Sequence, residues 1–75
     1  MRSKPVVGML VRLNDEGMQA INGLKSLAQV QAAQRMKITS VGNESLTNDV
    51  DTWMIEVDQP EINKFMISNH DVDSL

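Results

Sequence analysis

An α+β fold is predicted for this chain: a small antiparallel sheet of four or five strands with an inserted helical segment over residues 15–35. Three observations carry that prediction. Apolar residues alternate with a period of two near the start and again from residue 36 onward. A stretch rich in Ala, Gln and Leu with helical spacing lies between them. Beyond it the strands follow one another through tight turns, so helices and strands are segregated, which favours an antiparallel sheet over a βαβ arrangement. With 75 residues the chain holds one core, and a single domain over 1–75 is expected. Folding hides only about 60% of the surface of a chain this short, which excludes a large enzyme.

The first strand is read over Val7–Leu13, with Val7, Met9, Val11 and Leu13 on one face. Asn14 or Asp15 can cap a short helix that carries Glu16 near its positive end and Met18, Ile21 and Leu24 at helical spacing. Asn22-Gly23 interrupts it; beyond, Leu24–Arg35 repeats apolar residues at Leu24, Leu27, Ala28 and Ala32, and Ser26 is a candidate cap that would confine the helix to 27–35, so one helix or two can fill 15–35. Met36–Val41 reads as the second strand and Gly42 to Asp49 as a polar loop. Trp53–Asp58 is the third, with Trp53, Ile55 and Val57 opposed to Met54, Glu56 and Asp58. Pro60, lacking an N–H, should end it in a turn. Ile62–Ser68 is expected as a fourth strand, Asn69-His70-Asp71 as a turn, and Val72–Leu75 as a terminal strand. The expected core is Val7, Met9, Val11, Ile21, Leu24, Leu27, Ile38, Trp53, Ile55, Val57, Phe65 and Ile67.

Several chemistries are removed by composition. The chain has no Cys, so disulfides, thiolate nucleophiles and Cys-based metal sites are absent. The longest wholly apolar run is three residues, Met9 to Val11, so no membrane span is expected. The opening Met-Arg-Ser-Lys-Pro leads into an apolar stretch broken at Arg12, so no signal peptide is expected and a cytoplasmic location is the default. Charge divides unevenly. Residues 1–37 carry Arg2, Lys4, Arg12, Lys25, Arg35 and Lys37 against Asp15 and Glu16, a sum of +4. Residues 38–75 carry Lys64 against eight carboxylates, a sum of −7.

Taken in order, Val7 to Leu13, Ile38 to Val41, Trp53 to Val57 and the ending Phe65-Met66-Ile67-Ser68-Asn69-His70-Asp71-Val72-Asp73 resemble the SH3-like small barrels, the group that includes KOW-type modules. The resemblance covers about 55 residues and implies a penultimate strand that passes through one helical turn into a short last strand. The helical stretch 15–35 stands where such domains usually have a loop, and the aromatic pairs that form peptide or base-stacking grooves are missing. The chain is also similar in style to small phage-encoded accessory proteins that bind host machinery.

His70, between Asn69 and Asp71, is the one side chain suited to acid–base or metal work near neutral pH. It has no second His or Cys to complete a site, and a turn with Asn69 and Asp71 bonding the backbone and His70 facing water is the simpler expectation. Asp49, Asp51, Glu56 and Asp58 lack the glycine turn and closing glutamate of an EF-hand. The four glycines form no phosphate loop. No catalytic residue, metal or cofactor is therefore predicted, and the expected function is a non-catalytic protein-interaction module, a small regulator or inhibitor of a larger macromolecular machine. Its interface is assigned to Asp49, Asp51, Met54, Glu56 and Asp58, facing a partner with a basic surface, with Met54 as the exposed apolar member. The alternative is a nucleic-acid-binding module using Arg12, Lys25, Arg35 and Lys37. Self-association through an open sheet edge is a further expectation.

Overall fold

The computed structural model describes residues 3–21, 26–42 and 51–75. Strand β1 spans Leu10–Leu13 and begins later than expected, because Val6 to Met9 forms a turn closed by the Met9 N–H on the Val6 carbonyl at 3.1 Å. Gly8 supplies the positive φ of 95° that this turn requires. Val7 is thereby carried to the turn's tip and is exposed, a correction to its place in the expected core.

Asn14 ends the strand and starts the helix. Its Oδ1 accepts the Gly17 N–H at 2.9 Å, capping α1 (Asp15–Ala20), and Asp15 and Glu16 occupy the first turn near the positive end of the helix dipole. Helix α2 spans Leu27–Ala33 behind a capping box, in which Ser26 Oγ accepts the Gln29 N–H and Gln29 Oε1 accepts the Ser26 N–H. Its buried face differs from the expected one. Ala33 is fully buried with Gln29, Val30 and the expected Ala32 partly so, while Ala28 is exposed and Leu27 is 73% exposed. Leu24 lies outside the described residues.

Strand β2 spans Met36–Val41 and places Met36 and Ile38 inside. A bulge between Ile38 and Ser40 shifts the phase, so Ser40 faces outward and Val41 packs against the core. Strand β3 spans Ile55–Val57, with Ile55 and Val57 buried and Glu56 outside.

The expected fourth strand over Ile62–Ser68 is absent. Pro60 instead opens a one-turn helix α3 (Pro60–Asn63), a role that its missing N–H and fixed φ suit equally well. Met66 then adopts φ 55° and reverses the path, leaving its side chain exposed while Ile62 and Ile67 are buried. Only Ser68 bridges Met54, and a 3₁₀ turn over Asn69–Asp71 leads into β4 (Val72–Ser74).

All pairings are antiparallel and the sheet order is β3-β2-β1-β4, so the last strand returns beside the first. The inward side chains of the four strands meet Ile21, Ala33, Ile62 and Ile67 in one cluster, with Met9, Met18 and Phe65 at its margin. This is the α+β architecture expected: a small antiparallel sheet with helices against one face. Among the described residues, no helix is long and apolar enough to cross a membrane.

Candidate functional site

The outward face of the sheet carries three of the charged residues singled out above, Arg12 on β1, Lys37 on β2 and Glu56 on β3. Along β3, Glu56 projects outward opposite Ser40, and Asp58 follows two residues on. Both carboxylates are exposed, and Asp58 also accepts the Lys37 N–H through Oδ1 at 3.0 Å. Asp51 is exposed but stands outside the strand, in the segment that approaches it. The structure thus places Glu56 on the outward face of β3 and Asp58 in the bend just beyond the strand, with Asp51 in the segment before it; Asp49 lies outside the described residues.

Met54 departs from its expected role. It is half-buried, its carbonyl accepts the Gly42 N–H at 2.7 Å, and it bridges Ser68 on its other side. A Cβ at Gly42 would lie 3.3 Å from the Met54 carbonyl oxygen, so the two backbones run close together there. Among the described residues, the exposed methionine is Met66, at 66%.

The edge of β3 that faces away from β2 is closed. Ile55 donates its N–H to the Ile67 carbonyl at 3.0 Å. Asn63 substitutes for a strand at Val57, accepting the Val57 N–H and donating to its carbonyl, both at 2.7 Å. Asn69, fully buried, accepts the Trp53 N–H at 2.9 Å and donates to the Asp51 carbonyl at 2.9 Å. The outer edge of β3 is therefore covered by these bonds. No periodicity marks Asn63 or Asn69 for this task, since any Asn in a loop reads as a turn former.

The basic residues of the alternative reading are placed among carboxylates. Arg12 on β1 lies directly across from Asp73 on β4. Lys37 on β2 is flanked by Leu10 on one side and, through the Asp58 N–H bonded to its carbonyl at 2.9 Å, by Asp58 on the other. Arg35 is exposed in the turn before β2, and Lys25 lies outside the described residues.

His70 lies in the 3₁₀ turn at the side of a polar cleft of about 680 Å³, which Arg12, Asp15, Glu16 and Asp73 also line. Its Nε2 is 3.1 Å from Thr52 Oγ1, and its carbonyl accepts from Asn14 Nδ2 at 2.9 Å. The expected backbone bonding by Asn69 and Asp71 is present, Asp71 Oδ2 accepting the Ser68 N–H at 2.9 Å. His70 itself is half-buried rather than turned wholly to water. Among the described residues, no group of three or more His, Cys, Asp or Glu side chains converges as a metal site would require.

A second surface was not anticipated. Lys4, Pro5, Val6 and Val7 form one wall of an open groove of about 610 Å³ whose other side is Val41. The signal for it was the Val7-Gly8 pair, which reads equally as strand or as the corner of a turn. Comparisons with family models, characterised proteins and solved structures yield no match to this chain.

Proposed function

We propose that the protein is a non-catalytic interaction module, a small cytoplasmic regulator or inhibitor that docks on a basic protein surface of a larger macromolecular machine. The observation that carries this reading is the charge arrangement of the outward sheet face. Glu56 stands across from neutral Ser40, whereas Arg12 has Asp73 as its cross-strand neighbour and Lys37 is hydrogen-bonded through its backbone to Asp58. A phosphate backbone needs a run of cations whose counterions it can displace, and interleaved carboxylates oppose that. A protein surface tolerates and uses such mixed patterns, because complementary potentials steer encounter and reject wrong partners. Occlusion or recruitment would follow from docking alone, with no chemistry.

Kinship with SH3-like small barrels is supported by the return of β4 beside β1 and by the 3₁₀ turn that precedes it. The helical insertion and α3 are departures from that pattern.

The test is capture of partners from native cell extract, with and without nuclease, by the wild type and by an Asp51→Asn, Glu56→Gln, Asp58→Asn variant. A nuclease-resistant protein partner that the variant loses is the expected result. Nuclease-sensitive capture that the variant retains but Arg12→Ala or Lys37→Ala weakens would refute the reading and establish nucleic-acid binding instead.

A further inference from the structure

Among the described residues, the outward face of the sheet lies bare. Arg12, Lys37, Thr39, Ser40 and Glu56 are all exposed, and Leu10, in register with Lys37, is 39% exposed at the middle of the face. The charges borne by the strands cancel there, Arg12 and Lys37 standing against Glu56 and Asp73, although the chain as a whole carries −3. Their layout follows from the registers. Leu10 and Lys37 form a row across β1 and β2, which Asp58 continues through its N–H on the Lys37 carbonyl. Arg12 lies two residues from that row toward one end of the sheet, and Glu56 two residues from it toward the other. Strands β1 and β3 are two strand spacings apart and each residue rises about 3.4 Å, so roughly 17 Å separates the two backbones. That is beyond the joint reach of the two side chains. Within one copy Glu56 faces neutral Ser40, and the Asp73 carboxylate beside Arg12 is half-buried and accepts from Asn14 Nδ2 at 3.3 Å.

The midpoint of the Arg12–Glu56 diagonal falls on β2 beside Lys37. A two-fold axis parallel to the sheet, through that point and at right angles to the diagonal, turns the diagonal end for end. Glu56 of each copy then lies over Arg12 of the other, across the gap of about 10 Å between stacked sheets that these long side chains can span together. The same rotation sets Leu10 over Thr39 of the second copy. The two Lys37 fall nearest the axis, each with an Asp58 from either copy alongside, so no cation is left facing only its own kind. We infer that the outward sheet face docks a second copy of this chain, closing a two-fold dimer through reciprocal Arg12–Glu56 pairs around Leu10. The strands are only three to six residues long, and the face is small against the roughly 800 Å² that each partner buries in a stable complex, so the dimer is weak and reversible. It occupies Glu56 and therefore competes with docking on a basic protein, which it does not require.

The test is sedimentation equilibrium of the full chain up to about 1 mM, together with amide chemical shifts of ¹⁵N-labelled protein over the same range. Wild type is expected to dimerise, with Leu10, Arg12, Thr39 and Glu56 shifting as concentration rises and returning in high salt. Glu56→Arg, at an exposed site across from Ser40, leaves the core intact and turns both pairs repulsive, so it should weaken the dimer by about tenfold. Arg12→Glu should do the same. Mixed in equal amounts, the two variants should associate with each other as wild type does, because opposite charges again meet in both pairs. Trp53 emission confirms that each variant is folded, and if Arg12→Glu loosens β4 beside Asp73, Glu56→Arg alone still decides. Self-association that Glu56→Arg leaves unchanged, or folded variants that stay apart when mixed, overturns the inference. So does a wild type that remains monomeric at about 1 mM, and the docking reading then survives if capture of a basic partner still depends on Glu56.

Discussion

Asn69→Ala removes the one polar side chain that is fully buried among the described residues. Its amide accepts the Trp53 N–H and donates to the Asp51 carbonyl, each at 2.9 Å, and its own N–H is held by the Trp53 carbonyl at 3.0 Å. The substitution keeps the last of these and deletes the first two. Each lost bond is worth about 1 kcal/mol, and a donor left without a partner in a half-buried setting adds about 1–2 kcal/mol, whereas the Asp51 carbonyl can turn to water. The expected loss is about 3 kcal/mol. A domain of 75 residues holds about 4–11 kcal/mol in total, so the variant sits near the edge of folding. In urea, with a slope of about 1 kcal/mol/M, the midpoint should fall by about 3 M. Trp53 is the only tryptophan and lies at the altered bond, so its fluorescence reports the transition. Asn69→Asp sharpens the test. Its carboxylate keeps an acceptor for Trp53 but opposes the Asp51 carbonyl, and burial raises its folded-state pKa above the unfolded value. The protonated form is the one the folded state favours, so this variant should be most stable below the ordinary carboxylate range and lose stability as pH rises through the raised pKa. A loss under about 0.5 kcal/mol for Asn69→Ala, or a pH-independent deficit for Asn69→Asp, would refute the assignment of Asn69 as the stitch between the 3₁₀ turn and the β3 approach.

Asn63→Ala should cost about 1–3 kcal/mol and, by exposing the Val57 peptide groups, produce concentration-dependent association visible in sedimentation velocity. Gly17→Ala should destabilise by about 2–4 kcal/mol in chemical denaturation despite the better helix propensity of Ala, because the added methyl collides with the Asp71 carbonyl and with the Leu13 side chain, 2.7 Å from Cδ1. Met66→Gly should stabilise by about 0.5–1 kcal/mol in the same assay, since φ 55° strains any residue with a Cβ and the side chain it removes is 66% exposed.

Where local chemistry had one reading, the sequence was enough. Ser26 precedes its helix as a cap and is used as one, and of the two caps offered for the first helix, Asn14 and Asp15, the structure uses Asn14. Met36–Val41 alternates with β-branched residues and is a strand over that whole range. Misreadings arose where one pattern serves two geometries. Val7-Gly8 continues an alternation and also makes a turn; the turn prevails because the Gly8 N–H can then reach the Ile38 carbonyl while Met9 still enters the margin of the core. In α2, Leu27 looked like core by size. The buried face is instead set by Ala33, whose small side chain is fully buried in the shared cluster. Gln29 also fixes the helix by donating to Glu61 Oε2 of α3 at 2.8 Å. That contact spans distant elements and leaves no periodic trace.

The 60–68 segment gives the reason the candidate site was only half legible. Pro60 was read as a stop, but a proline that ends one strand can also begin a helix, and only the second choice brings Asn63 back against Val57. Had Ile62–Ser68 been a strand, its own backbone would have paired with β3. A one-turn helix cannot do that, so side-chain amides take over at Val57 and Trp53 and the edge closes without another strand. Glu56 was legible because it alternates with Ile55 and Val57 in a strand that carries no bulge of its own. The groove was not, because it exists only through the register of β2 on β1 and β3 together.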